Sequence, residues 1–258
     1  MRYLAAFIMA VVMCSGAWAE IRTQTVKYND ENAVLEGYLA YDDSMQGKRP
    51  GVLVVHEWWG LNSFAKKRAE SLARLGYVAF AIDMYGEGIS TSDPQKASQL
   101  SSVYIKNRAL MRTRAKAGLD VLLRHPLVDA NRAVATGYCF GGTTVLELAR
   151  AHAPVQGVVS FHGGLTTPDP AATRDVKAKV LVLHGADDPF STKDQINTFM
   201  DEMRSSGADW QMIFYGGAVH GFTNPDADSF GIKGVAYNEK ADKRSWQAMR
   251  QFLDEIFK

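Results

Sequence analysis

The 258-residue chain has a formal charge of +1, with acids and bases mixed throughout. It therefore offers neither a basic stripe for nucleic acid nor an acidic tail for a polymeric partner. With 47% apolar and 22% charged residues, it has the balance of a folded protein with one sizeable core, which excludes a disordered chain.

The N-terminus comes first. Arg2 is a positive start, residues 4–13 are an apolar run, and Ala17-Trp18-Ala19 is a small-x-small cleavage site before Glu20. This is the layout of a secretory signal peptide, too short to span a bilayer. A lipid on Cys14 is disfavoured because Met13 stands where a small residue is expected. The expectation is a signal peptide at 1–19 and a single mature domain at 20–258, periplasmic or secreted, with no stable membrane anchor. Cys139 is then the only thiol left, and an unpaired thiol in an oxidising compartment needs burial or a function.

Residues 23–28 and 34–41 form a predicted hairpin around a polar turn at 29–32. Short apolar runs follow at 51–55, 77–82, 133–136, 157–161, 180–183 and 211–215, rich in β-branched and aromatic residues and with little alternation. Such runs suit strands covered on both faces of a mostly parallel sheet. Helices are predicted at 64–75, 109–123, 143–151, 193–205 and 241–257, the first stopped by Gly76. Strand–helix alternation gives an α/β class with a doubly wound sheet and an N-terminal antiparallel hairpin. Ligands of such sheets bind beyond the carboxyl ends of the strands.

At those ends the sequence places its chemistry. Gly137-Tyr138-Cys139-Phe140-Gly141-Gly142 lies between a strand and a helix, the form of a nucleophile elbow. A thiol there faces the helix dipole and free N–H groups, which favour its thiolate over an ordinary pKa of about 8.5. A phosphate-binding loop is excluded because Thr143 replaces the lysine that would reach the phosphates. HGADDP at 184–189 offers an acid, and its G-x-x-D spacing favours Asp188 over Asp187. GGAVHGF at 216–222 offers His220 as a general base in a glycine-bounded loop after the last strand. The order nucleophile, acid, histidine is that of the α/β-hydrolase fold. HEWWG at 56–60 begins like a zinc-protease helix, but Gly60 stands where the second histidine is needed, so no metal is expected.

Together HEWWG, GYCFGG, HGADDP and GGAVHGF resemble the dienelactone hydrolase family of α/β-hydrolases, along essentially the whole mature chain. The resemblance implies a catalytic triad of Cys139, Asp188 and His220. It implies an oxyanion hole from the backbone N–H groups of Trp58 and Phe140, and a Glu57 that helps to deprotonate the thiol when substrate binds. Two departures concern substrate. The arginines that hold the carboxylate of a dienelactone in this family match Glu87 and Asn224 here, which argues against an anionic lactone.

Trp59, Tyr85, Phe222 and Asn224 are candidate pocket residues. His162 and His184 border the site as structural histidines, and segment 90–107 is the candidate lid. The expected activity is hydrolysis of a small neutral ester or lactone through an acyl-cysteine, without a cofactor, by a monomer or dimer. Alternatives are a thioesterase or other acyl hydrolase, an envelope esterase active on carbohydrate or peptide, and a non-catalytic binding or thiol redox-sensing protein.

Overall fold

The computed structural model describes residues 20–31 and 33–258. The expected signal peptide, Cys14 and the turn residue Asn32 lie outside the described residues. The strands are β1 (Ile21–Asp30), β2 (Ala33–Asp42), β3 (Arg49–Val55), β4 (Val78–Ile82), β5 (Val128–Tyr138), β6 (Gly157–Phe161), β7 (Lys179–Gly185) and β8 (Trp210–Tyr215). The helices are α1 (Ser63–Ala73), α2 (Pro94–Lys106), α3 (Arg108–Arg124), α4 (Phe140–Arg150), α5 (Lys193–Ser205) and α6 (Glu239–Ile256).

All eight strands form one sheet in the order β1-β2-β4-β3-β5-β6-β7-β8. The pairs β1–β2 and β2–β4 are antiparallel, and the remaining pairs are parallel. This is the doubly wound α/β-hydrolase architecture, with the antiparallel hairpin at one edge.

Alternation along the buried strands builds two cores. Leu53 and Val55 of β3, Phe80 and Ile82 of β4, and Val180 and Val182 of β7 face one core, shared with α3, α4 and α5. Val52, Val54, Ala79, Ala81, Leu181 and Leu183 face the other, shared with α1 and α6. Because neither face meets water, the strands read as continuous apolar runs in the sequence.

Two differences from expectation have local causes. β5 starts at Val128, five residues before its apolar run, and pairs with β3 across a register shift at Pro50–Gly51. Helix α2, absent from the expected set, buries only Ala97, Ser101 and Tyr104, too few apolar positions for a helical period. Its start was nonetheless written in Asp93-Pro94: Asp93 caps the helix by accepting from the Gln95 N–H, and Pro94 opens it.

A buried ion cluster fastens α4 to α5. Arg150 donates from Nε and Nη2 to Glu202 (2.7 and 2.8 Å) and from Nη1 to Glu147 (3.0 Å). Arg112 also bonds Glu147, at 2.8 Å. Removing Arg150 would leave buried Glu202 without a cation and Glu147 with Arg112 alone. Arg150→Met is expected to lose about 3–5 kcal/mol of stability in urea unfolding; a loss below about 1 kcal/mol would show that the cluster is not a fastening.

Candidate active site

Cys139 caps α4 in a rare backbone conformation, φ +53° and ψ −114°. Two glycines make this possible. A Cβ at Gly137 would lie 2.1 Å from the Gly141 carbonyl oxygen, and one at Gly141 would lie 2.2 Å from that of Val55. The start of α4 therefore rests directly on the end of β3. The Cys139 N–H points inward, to the Phe161 carbonyl (3.0 Å) and to Nδ1 of His162 (3.2 Å).

His162, expected as a bordering structural residue, supports this turn from below. It is fully buried, and its Nε2 bonds Thr223 Oγ1 at 2.8 Å. Because Nδ1 accepts from an N–H, Nε2 carries the proton and donates to the threonine. Burial, with His220 nearby, holds the His162 pKa well below its ordinary value, so the ring stays neutral.

Asp188 and His220 come from the loops after β7 and β8. His220 Nδ1 donates to Asp188 Oδ2 at 2.8 Å, and the Phe190 N–H donates to Oδ1 at 2.9 Å. The other ring nitrogen of the imidazole, Nε2, is left to hydrogen-bond Cys139. Burial disfavours the imidazolium, but the charge of Cys139 and the bond to Asp188 outweigh it and push the His220 pKa up to about 10. Burial also acts against the Asp188 carboxylate, yet the His220 contact leaves its pKa below the ordinary value. Once a proton moves from the sulfur to His220, the arrangement holds the resulting positive charge beside it. Asp187 instead accepts the Gly217 N–H at 2.9 Å, bracing the histidine loop.

The HEWWG loop has a similar division of labour. His56 is buried; its Nδ1 donates to the Glu57 carbonyl, while Nε2 accepts the Met84 N–H at 3.3 Å. In a trans peptide the N–H opposes the C=O. Fixing the Glu57 carbonyl therefore fixes the direction of the Trp58 N–H, away from His56. Phe140 is the first residue of α4, whose leading N–H groups have no intrahelical acceptor.

Glu57 lines the cavity together with Cys139. Burial pushes its pKa up to about 7, against the opposing pulls of an Asn224 hydrogen bond, His220 and Arg68.

The cavity, about 250 Å³, is lined by Glu57, Trp58, Trp59, Cys139, Phe190, His220, Gly221, Phe230, Ile232 and Val235. Trp59 was expected there; Tyr85, Phe222 and Asn224 do not line it. Asp83 gathers the N–H groups of Tyr85, Gly86 and Gly88 and folds that loop back, so the Tyr85 hydroxyl bonds the Trp58 carbonyl from behind (2.8 Å). Left-handed Gly221 (φ +71°) is followed by Phe222 turned into the core. Asn224 curls back in a turn onto Gly221 and donates to Glu57 Oε2 at 2.6 Å.

Glu87 is exposed on the loop after β4, its N–H bonded to the Val34 carbonyl, and it does not line the cavity. It therefore makes no direct contact with a molecule in the cavity. The expected lid segment 90–107 does not line the cavity either; α2 packs Tyr104 behind it, on Tyr85 and Phe140.

The far wall is instead residues 230–235, missed in the sequence. His220 donates its N–H to the Gly234 carbonyl (3.1 Å) and accepts the Ala236 N–H on its own carbonyl (3.1 Å), so wall and histidine share one backbone connection. Arg68 was also missed. It donates to the Thr223 carbonyl and to Asp242, both at 2.6 Å, and lies against the rings of Phe64, Tyr138 and Trp246. It thus steadies the loop that carries the partners of both His162 and Glu57. Among the described residues no group of three His, Cys, Asp or Glu side chains is placed to hold a metal ion.

Comparison with known proteins agrees with the geometry. A crystal structure of a dienelactone hydrolase-like promiscuous phosphotriesterase from metagenomic libraries is 41% identical, with a TM-score of 0.89, over 93% of this chain and 99% of that one. A probable 2-oxo-3-(5-oxofuran-2-ylidene)propanoate lactonase of Bradyrhizobium sp. is 28% identical over 86% of this chain and 90% of its own length. A putative carboxymethylenebutenolidase of Aquifex aeolicus is 25% identical over 91% and 99%. The sequence profile of the dienelactone hydrolase family matches residues 35–257. With its mostly parallel sheet and the loops gathered at its carboxyl edge, the chain belongs to the dienelactone hydrolase family.

Proposed function

We propose that the protein hydrolyses uncharged carboxylic esters or lactones through an acyl-cysteine formed at Cys139. The observation that carries this reading is the strained Cys139, open to an apolar cavity and hydrogen-bonded to a histidine that Asp188 holds from the other side. Among the cavity-lining residues no arginine or lysine is present, and the lone carboxylate, Glu57, would repel an anion. This favours a neutral substrate over an anionic dienelactone.

The Cys139 proton passes to His220 Nε2, with Glu57 assisting when ionised. The sulfur attacks the carbonyl carbon, and the carbonyl electrons move to oxygen, where the Trp58 and Phe140 N–H groups receive them. As that oxyanion collapses, the C–O bond breaks and His220 gives its proton to the leaving alkoxide. His220 then takes a proton from water, and the hydroxide attacks the thioester carbon. Collapse of the second oxyanion returns the Cys139 thiolate and releases the acid.

A second substrate class follows from the 41%-identical phosphotriesterase. The same sulfur could displace an aryl alkoxide from the phosphorus of a neutral phosphotriester. Export belongs to the proposal as well, supported by Arg2, the apolar run 4–13 and Ala17-Trp18-Ala19.

Four outcomes are expected. Cys139→Ala should hydrolyse phenyl acetate at least about 10³-fold more slowly than wild type, and rapid quenching should trap an acyl adduct on wild type alone. Equal activity in the two proteins would sink the mechanism. An aryl dialkyl phosphotriester should release its phenol with wild type and not with Cys139→Ala; no release by wild type removes the second class.

Glu57→Gln tests the buried carboxylate. With a folded pKa of about 7 against an ordinary 4.5, wild type holds its proton more tightly when folded. Wild type therefore loses stability as pH rises from about 4.5 to about 7, and no more above that. The variant should be more stable by about 3 kcal/mol above pH 8 and indistinguishable near pH 4.5; a pH-independent difference would refute the assignment. Finally, protein expressed from the whole sequence in a bacterium should be recovered outside the cytoplasm beginning at Glu20, and an intact Met1 there would refute cleavage.

A further inference from the structure

Beside the cavity runs a second, open groove of about 570 Å³, lined by Trp59, Asn62, Ser90, Thr91, Ser92 and Phe230. Trp59 and Phe230 also line the cavity of Cys139, and their rings lie 4.6 Å apart. The two spaces thus meet at one aromatic pair.

The groove differs in kind from the rest of the surface. None of its six lining residues is charged, whereas each of three other surface grooves on the described residues has three or more charged side chains. Its polar groups are hydroxyls and one amide. Asn62 Oδ1 is engaged as the cap of α1, accepting the Ala65 N–H, which leaves its Nδ2 as a donor. Thr91 Oγ1 accepts the Asp93 N–H and keeps its own proton to give. Ser90 and Ser92 can both donate and accept.

The wall is also fixed in place. Gly60 pairs with Ser90 in an antiparallel bridge, and the Thr91 N–H donates to the Trp59 carbonyl at 2.9 Å. Gly60 sits at φ +86°, where a Cβ would lie 2.2 Å from the Ile89 carbonyl oxygen, so the two segments touch along their backbones. Hydroxyl groups on a pre-set wall can bind without first being ordered.

Resting on the hydrolase reading above, we infer that the substrate is an ester joining a small apolar part, held in the cavity, to an uncharged hydroxylated part, a sugar or other polyol, held in this groove. Groups that both donate and accept match hydroxyls on the ligand. Half-buried Phe230 offers an apolar surface to the C–H faces between them. A charged ligand group would find no counter-ion along the lining.

The test compares 6-O-benzoylglucose with cyclohexylmethyl benzoate, which have the same acyl group and leaving alcohols of similar size. Wild type should favour the sugar ester in kcat/KM by about tenfold, the effect of one or two net hydrogen bonds. Ser90→Ala with Ser92→Ala should remove about fivefold of that preference through KM, with kcat and phenyl acetate turnover unchanged. No preference in wild type, or an equal loss on both benzoates, overturns the inference while leaving the hydrolase reading intact. Failure of wild type on phenyl acetate as well would overturn both.

Discussion

The contact on which the site depends is between two stretches of backbone, the start of α4 and the end of β3. With only glycine at 137 and 141 can the helix come down onto the Val55 carbonyl and turn Cys139 outward at φ +53°. Strain of this sort persists only where the surroundings over-determine it. Here they do: the Cys139 N–H has two buried acceptors, one of them a neutral histidine tied to Thr223. The same contact brings the HEWWG loop against the elbow, so that the thiol, Glu57 and the Trp58 amide share one small volume.

Electrostatics in that volume are set by what is missing as much as by what is present. His220 lies between the Asp188 carboxylate and the Cys139 sulfur and has its pKa pushed up to about 10, whereas Glu57 has a neutral amide for its closest partner and a pKa pushed up to about 7. An arginine at 224 would have drawn Glu57 toward full ionisation; asparagine leaves it able to change charge near neutrality. Asn224 thus shapes the chemistry without lining the cavity.

Much of this was legible in the sequence, for identifiable reasons. β4, β6 and β7 are apolar on both faces, and glycines bound each loop where a strand end meets a functional group, so the positions of Cys139, Asp188 and His220 relative to the sheet could be written down in advance. Features that depend on distant partners could not. Thr223 bonds a ring 61 residues away and receives Arg68 from 155 residues away, and neither relation leaves a local pattern. Segment 230–235 shows only two glycines and scattered apolar residues until β8 and α6 are in place around it. Tyr85, Phe222 and Asn224 sit in the right loops, but single left-handed residues and a buried aspartate decided which way those loops turned.

The double hydrogen bond between His220 and the 234–236 backbone also bears on how this scaffold could diversify. Its cavity wall and His220 are not separate modules: an insertion or deletion within 230–235 would shift the imidazole along with the wall. Side-chain exchanges at Ile232 or Val235 can resize the chamber freely, whereas changes in loop length there would have to be matched by changes after β8. New specificities in this lineage should therefore arise by recolouring the wall, with its length kept constant.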